Sequence, residues 1–397
     1  MSGMTDNPVI DSLGRRVRLA LIGGGPGSFI GGVHRMAARI DDRYQIVNAV
    51  VSSDQRKSRA AAESMGIDSE RLAADPLAMM EEESRRKDGA DAVAIMTPND
   101  SHFEYASAAL GLGFHVICDK PMTNTLDEAR ELHVLAERSG KVFCLTHNYS
   151  GYPLVRQARA MVAAGEIGRL LLVQVEYVQG GRAPGNDPPA GSPLPWRCDP
   201  VKGGPSLVMG DIGTHAHHLV RYITGSEISE VCAEAGAVVP GRSFQDYAGA
   251  LLRFEGGARG SFWVTQAAAG VENCLRIRVS GTEATLEWMQ EHPQQLIYKP
   301  FNQPMQIRTP NGPGTFPAAA RASRIVAGHP EGFPEAFATL YSDAAEAIAA
   351  SIAGSECDPL ALSFPHSGDG LRGLQFIQAV LESSGAGGTW TRADGKG

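Results

Sequence analysis

The sequence predicts an α/β protein of two domains, a parallel sheet wrapped by helices followed by a second α/β domain with a predominantly antiparallel sheet. Three observations carry this. Up to about residue 147, short β-branched runs alternate with helix-patterned stretches, the order that produces a parallel sheet covered on both faces. Beyond that point strands follow one another with little but turn residues between them, as in antiparallel sheets. And 397 residues exceed what one ordinary core accommodates.

The elements follow in order. Val17-Arg18-Leu19-Ala20-Leu21-Ile22 reads as a buried strand that runs into Gly23-Gly24-Gly25-Pro26-Gly27-Ser28, with a helix over Gly32 to Ile40 after it. Strands are expected at Tyr44 to Val51, Ala90 to Met96, Phe114 to Cys118 and Lys141 to Thr146, and helices at Ala60 to Met65 and Leu126 to Ser139. In Glu81-Glu82-Glu83-Ser84-Arg85-Arg86-Lys87, three acids each precede a base by four residues, the pattern of a solvated helix with i,i+4 pairs. A helix from Val155 to Ala164 and a strand from Leu170 to Tyr177 lead to Gly180–Pro195. That stretch holds five prolines and reads as a lid or substrate loop. Strands at Val231 to Val239, Tyr247 to Phe254, Gly260 to Gln266, Leu275 to Val279 and Ala284 to Trp288 come next. An irregular segment, Phe301 to Ser323, and two helices near Glu335 to Ala353 and His366 to Glu382 close the chain. The expected division is a frayed tail over 1–16, a first domain over 17–147 and a second over 148–397, whose last helix is able to pack back on the first domain.

Composition narrows the function. Apolar residues at 43% and charged residues at 20% describe an ordinary globular chain. A net charge of −8 offers no basic face for nucleic acid or an anionic membrane. The six cysteines are scattered without a C-x-x-C pair, so no zinc framework or disulfide scaffold is expected and a reducing, cytoplasmic location fits. Met1 to Arg16 lacks a signal-peptide layout, and no apolar run approaches the roughly 18 residues of a membrane span.

Chemistry concentrates in a few places. A strand running into Gly23-x-Gly25 and then a helix is where a dinucleotide pyrophosphate sits, on a tight turn and a helix N-terminus; this marks a Rossmann domain. The third glycine of G-x-G-x-x-G falls on Ser28, because about three extra residues precede Phe29-Ile30-Gly31. Gly23 and Gly25 are the firmer phosphate contacts, with Ser28, Phe29 and Ile30 supplying further candidates. The second strand ends Val51-Ser52-Ser53-Asp54 with Arg56 and Lys57 beyond. Ser52 stands where an NAD enzyme carries an acid, so Ser52, Ser53 and Arg56 leave NAD and NADP both open, as does a simple solvated helix start. Thr97-Pro98-Asn99-Asp100-Ser101-His102 and Asp119-Lys120-Pro121 close two parallel strands at their carboxyl ends, where open α/β sheets bind ligands. A lysine directly after a buried strand and before a proline is poorly explained as a surface charge. Further on, Gly210-Asp211-Ile212-Gly213-Thr214-His215 puts a carboxylate and an imidazole one helical turn apart on one face. Asp211, His215 and His218 also have metal-ligand spacing, but no further acid or cysteine accompanies them, so no metal is expected; His217 and His218 read as packing residues.

These motifs, in this order, resemble the Gfo/Idh/MocA family, the glucose-fructose oxidoreductase and inositol dehydrogenase group, across about Val17 to Glu382. The matching segments are the glycine turn, Thr97-Pro98-Asn99, Asp119-Lys120-Pro121 in place of the commoner E-K-P, and Asp211-x-Gly213-x-His215. The resemblance implies a Rossmann domain plus an α/β domain with a large open antiparallel sheet that often builds homodimers or homotetramers. It implies that Lys120, Asp211 and His215 form the catalytic set, and that Thr97, Pro98, Asn99, His102, Asp119, Lys120 and Asn148 line the cofactor. Trp196-Arg197 and Gly328-His329-Pro330-Glu331-Gly332 resemble the branch that includes L-glucose/scyllo-inositol dehydrogenases. By that likeness Arg197 and His329 contact substrate hydroxyls, with Tyr149 and Tyr152 also on the substrate side. Alternatively, Arg197 pins its loop and His329 caps a helix. The implied activity is hydride transfer between NAD or NADP and a secondary hydroxyl of a cyclic polyol or sugar (an inositol, an aldohexose or a glycoside). Two other classes share the fold: enzymes that cleave glycosides with tightly held NAD, and non-catalytic cofactor-sensing regulators.

Overall fold

A computed structural model describes residues 7–394 apart from 188 and 190. Residues 1–6 of the expected tail lie outside that range. Its remainder is not frayed: Pro8–Leu13 is a helix, because the Asn7 side chain accepts the amides of Val9 and Ile10 at 3.2 and 3.4 Å and Gly14 closes the far end in the left-handed region. Val9 beneath it is fully buried. The chain divides into two compact units, 1–123 with 127–151 and 333–370, and 124–126 with 152–332 and 371–397. The expected boundary after residue 147 is therefore replaced by a chain that returns to its first unit at Phe333. The reason is visible there. The helix Phe333–Ala353 is apolar over most of its circumference, and Phe337, Leu340, Tyr341 and Ile348 complete the core of the first unit.

In the first unit, β1 (Val17–Gly23), β2 (Tyr44–Val50), β3 (Ala92–Met96), β4 (His115–Cys118) and β5 (Phe143–Leu145) form an all-parallel sheet in the order β2-β1-β3-β4-β5. The strand order reverses between β1 and β3, so the crevice for a ligand opens at their carboxyl ends. Gly23 and Thr97 sit there. β3 and β4 are buried throughout and apolar almost throughout, as a strand covered on both faces must be. The helix Pro76–Arg85 departs from the expected solvated charge run. Glu81 does pair with Arg85 at 3.2 Å. Glu83 instead turns inward, almost fully buried, where it accepts from Arg71 at 2.6 Å, Asn48 at 2.9 Å and the Ala90 amide at 2.9 Å.

In the second unit the strands are β6 (Leu170–Val178), β7 (Ile228–Gly236), β8 (Tyr247–Phe254), β9 (Arg259–Thr265), β10 (Cys274–Gly281), β11 (Ala284–Met289), β12 (Leu296–Pro300), β13 (Gln306–Arg308) and β14 (Thr391–Arg392). They form one open sheet of nine, ordered β13-β12-β11-β10-β6-β9-β8-β7-β14, and only β6 and β9 run parallel. β13 and the short helix Pro317–Arg321 occupy the region expected to be irregular; β12 lies just before it, where no strand is expected, and pairing with β11 rather than local pattern makes it one. Side chains alternate: Val173, Val175 and Tyr177 on β6 and Leu275, Ile277 and Val279 on β10 face the core. The opposite face carries Glu287 between Arg278 and Lys299, with Leu172, Leu251 and Trp263 exposed.

Candidate functional site

The glycine turn is built by close approach. A Cβ on Gly25 would stand 2.3 Å from the Val51 carbonyl oxygen, so no side chain is tolerated beside β2. A Cβ on Gly31 would stand 2.0 Å from the Gly24 carbonyl oxygen. Gly31 thus performs the helix-packing task of the third fingerprint glycine, displaced three positions by the longer turn. Ser28 caps the helix Phe29–Ile40, its hydroxyl accepting the Gly31 amide at 3.2 Å. The amides opening that helix remain a cradle for anionic oxygens.

Beyond the turn a cavity of about 590 Å³ is lined by Gly25, Ser28, Ser52, Lys57, Ala61 and Ser64, among others. Positions 57, 61 and 64 share one face of the helix Gln55–Ser64. Arg56, a sequence candidate, lies one residue off that face, and Ser53 is exposed outside the lining; Lys57 is the base that reaches the cavity. Asp54 is committed as the cap of the same helix, accepting from the amides of Arg56 and Lys57 at 3.0 and 3.2 Å. Among the described residues no acid lines this cavity.

At the ends of β3 and β4, His102 departs from the expected cofactor contact. It is fully buried, with Nδ1 2.8 Å from the Pro121 carbonyl oxygen and Nε2 3.1 Å from that of Thr97. Both ring nitrogens face oxygens that only accept, and a neutral ring donates through just one of them, so the imidazole bonds one carbonyl and packs against the other, filling the space between the Thr97-Pro98-Asn99 turn and the cis Lys120–Pro121 bond. Asp119 likewise spends one carboxylate oxygen on the Thr146 hydroxyl, 2.7 Å away. The Thr97 hydroxyl accepts from Ser101 at 2.7 Å, Asn99 is buried, and Pro98 is exposed at the rim. Lys120 is half-buried. Asn148 lies buried in the turn Asn148–Gly151 after β5, and its Nδ2 has no acceptor among the described residues. Tyr149 is buried beside Phe333, their ring centroids 6.4 Å apart. Together, the side-chain-free approach at Gly25, the open helix N-terminus and the orphaned Asn148 amide fit a bound dinucleotide.

The second unit gathers the other candidates. Asp211 lies on a π turn, Met209–Gly213, rather than on the α-helix expected; the α-helix Thr214–Thr224 begins one residue before His215. Asp211 Oδ2 accepts from Gln266 Nε2 at 2.7 Å, and its Oδ1 is 3.9 Å from Arg197 Nε. Arg197 packs its guanidinium over Trp196 at 4.4 Å and remains 45% exposed, so it has charge to offer a ligand. His215 is 7% exposed, its ring centroid 6.3 Å from that of Tyr177. His217 stacks on Phe376, and burial drives His218 well below the ordinary imidazole value. Among the described residues no three His, Cys, Asp or Glu side chains are placed to hold a metal.

One substrate candidate, Tyr152, behaves differently from expectation. Tyr152 is 1% exposed and packs on Trp288, so core burial claims its ring. His329 is exposed, with Nδ1 3.2 Å from the Val326 carbonyl. The expected lid, 180–195, is tethered where it is described: Arg242, its side chain 4% exposed, bridges Asp187 and Asp246 at 2.8 and 2.7 Å. Residues missed in the sequence are Gln179, Gln266 and Asn273. Each sits at or just beyond a strand terminus, where nothing in spacing or composition marks it.

Comparison with known proteins agrees with this geometry. Residues 17–147 match the model of the oxidoreductase family NAD-binding Rossmann fold, and 155–287 match that of the GFO/IDH/MocA C-terminal domain. The chain is 32% identical to the oxidoreductase YfiI of Bacillus subtilis strain 168, over 95% of this chain and 97% of the relative. It is similar to an oxidoreductase from Sinorhizobium meliloti at 43% identity and TM-score 0.86, covering 95% of this chain and 99% of that one. It is also similar to an inositol dehydrogenase homologue from Azotobacter vinelandii solved with NADH and myo-inositol, at 34% identity and TM-score 0.86, covering 96% and 98%. A Rossmann glycine cradle followed by the Lys120 and Asp211/His215 motifs, with family models matched over residues 17–147 and 155–287 and a relative aligned over 95% of the chain, makes this protein an NAD-binding member of the Gfo/Idh/MocA oxidoreductase family.

Proposed function

We propose that the protein is a dehydrogenase moving a hydride reversibly between a nicotinamide cofactor and a secondary hydroxyl of a cyclic polyol or sugar. The observation that carries this reading is the cluster of Asp211, Arg197 and Gln266 on the unit that holds His215. Closely set acceptors and donors of this kind suit a ring bearing neighbouring hydroxyls. The similarity to a homologue solved with myo-inositol supports the same substrate class.

When bound, the dinucleotide supplies the hydride acceptor or donor. The remaining work falls to side chains. His215 removes the hydroxyl proton as general base and returns it in the reverse direction. The Lys120 ammonium donates to the same oxygen and stabilises the negative charge that develops there. Asp211 accepts from a neighbouring hydroxyl and orients the ring, while Arg197, Tyr149 and His329 hold further hydroxyls. Ser52 and Lys57, in a cavity with no acid among its described lining residues, leave room for either NAD or NADP. The exposed face of the large sheet, with Leu172, Leu251 and Trp263, would serve a homodimer or homotetramer.

The test is a panel of inositols, aldoses and glycosides with each cofactor, followed by absorbance of the reduced nicotinamide. Lys120→Ala and His215→Ala are each expected to lower kcat by at least about 10²-fold while NADH still binds. Near-normal turnover in either variant would reject the assignment. Glycoside cleavage without accumulation of free reduced cofactor would instead identify the glycoside-cleaving class.

A further inference from the structure

Beneath Asp211 the second unit carries a connected set of amides that the motifs do not include. Gln266, immediately after β9, is 5% exposed, and its Nε2 lies 2.7 Å from Asp211 Oδ2 and 3.0 Å from Gln179 Oε1. Both neighbours are acceptors, so the amide has one workable orientation; turned over, it would set a carbonyl oxygen against a carboxylate. Gln179, just beyond β6, donates in turn to Asn273 Oδ1 at 2.6 Å, and the Tyr177 hydroxyl donates to the same oxygen at 2.9 Å. Tyr177 is the residue whose ring lies beside His215. The ends of β6 and β9 and the start of β10 therefore present one hydrogen-bonded platform that begins at the Asp211 carboxylate and ends at the aromatic neighbour of His215. Those strand ends are locked to each other by the sheet: Tyr177 pairs with Val264 across β6 and β9 and with Leu275 across β6 and β10.

We infer that Gln266 is a positioning residue for the reaction: its amide holds Asp211 as an acceptor of fixed orientation and couples it, through Gln179, Asn273 and Tyr177, to the setting of His215. This rests on the reading of Asp211 and His215 as the hydroxyl-handling pair. The argument is one of charge and geometry. Asp211 sits on a π turn, and the bond from Gln266 fixes which way its carboxylate faces. With one oxygen held by Gln266, the other, near Arg197, is the one presented to a substrate hydroxyl. Other charged groups bear on the same place. Arg197 stands 3.9 Å from Asp211 on one side. Glu291, which accepts the Asn273 amide at 3.0 Å, lies at the far end of the platform.

The test compares Gln266→Leu, Gln266→Glu and Asp211→Ala, singly and with Gln266→Leu/Asp211→Ala combined, using the polyol that turns over fastest in the wild-type enzyme. Losing a hydrogen bond to a charged group predicts a fall in kcat of about ten- to a hundredfold for Gln266→Leu. NADH affinity by fluorescence titration and the melting temperature report whether each variant is folded. Gln266→Glu places a second carboxylate against Asp211. Two such groups do not both ionise readily, so the acid limb of the kcat/KM profile is expected to move to higher pH. In the Asp211→Ala background the Gln266→Leu change is expected to have little further effect. A wild-type kcat and pH profile in both Gln266 variants overturns the inference, as does a full additional loss in the double variant. Asp211→Ala retaining wild-type activity rejects the catalytic reading of Asp211 itself, a different result from failure at Gln266 alone.

Discussion

Replacing Gly31 by alanine is expected to weaken cofactor binding and lower stability together, while the same change at the adjacent Gly32 is expected to do neither. The added Cβ at Gly31 would lie 2.0 Å from the Gly24 carbonyl oxygen and 2.4 Å from Gly24 Cα. Heavy atoms reach comfortable contact near about 3.5 Å, so the helix Phe29–Ile40 and the glycine turn would have to separate by roughly 1.5 Å. Overpacking of this kind costs about 1–3 kcal/mol. The separation also shifts the helix-opening amides against a bound pyrophosphate. Losing one charge-assisted bond of about 1.5–3 kcal/mol raises the NADH Kd about ten- to a hundredfold. At Gly32 nothing lies within 4 Å of the added carbon. A helix-interior glycine there gives way to alanine with a gain of about 0.5–1 kcal/mol. Fluorescence titration with NADH and thermal melts on the two variants separate these outcomes. A Gly31→Ala protein with wild-type Kd and Tm, or two variants that shift alike, would refute the claim that this glycine serves close packing of helix on turn.

Further expectations concern pH, His102 and cofactor choice. Burial lowers His34 and His115 from the ordinary imidazole value of 6.5 to about 4, with Asp119 partly opposing this at His34 and Lys141 adding to it at His115. His115 Nδ1 accepts the Val142 amide at 2.9 Å, a bond that only the neutral ring can make. Below 6.5 the unfolded chain takes up these protons and the native chain does not, so stability present above 6.5 is lost as the pH falls toward 4. The loss is on the order of 3 kcal/mol per histidine. Thermal melts between pH 7.5 and 4.5 should show the decline, and His34→Gln with His115→Gln should flatten it; an unchanged slope contradicts the assignment. His102→Leu removes the one bond the ring donates to the Thr97 and Pro121 carbonyls and is expected to cost about 1–3 kcal/mol, seen in urea unfolding, together with weaker NADH binding. Ser52→Asp should favour NAD over NADP by at least about tenfold, measured as the ratio of the two Kd values, because an acid repels a 2′-phosphate and hydrogen-bonds a 2′-hydroxyl. Equal Kd ratios before and after would place the adenosine ribose elsewhere.

The sequence by itself determined the alternation of strand and helix up to β5, the succession of strands after it, and the positions of the glycine turn, Lys120, Asp211 and His215. These are legible because they rest on local rules: period, turn residues, and a functional group at the end of a buried strand. What the tertiary structure decided depends on partners distant in the chain. Gly31 became the packing glycine because the Gly24 carbonyl stands against it. Lys57 displaced Arg56 because the helix starts at Gln55 and turns by about 100° per residue. Tyr152 went to the core against Trp288, and Glu83 turned inward to Arg71 and Asn48, since each found a partner far off in sequence. His102 reads as a cofactor ligand from its motif and proves to fill the space between the Thr97 and Pro121 carbonyls, which come together only when β3 and β4 pair. Gln266 carries no local signal at all. An amide's role depends on what faces it: the β6–β9 register brings Gln179 to it, and the packing of the Met209–Gly213 turn brings Asp211.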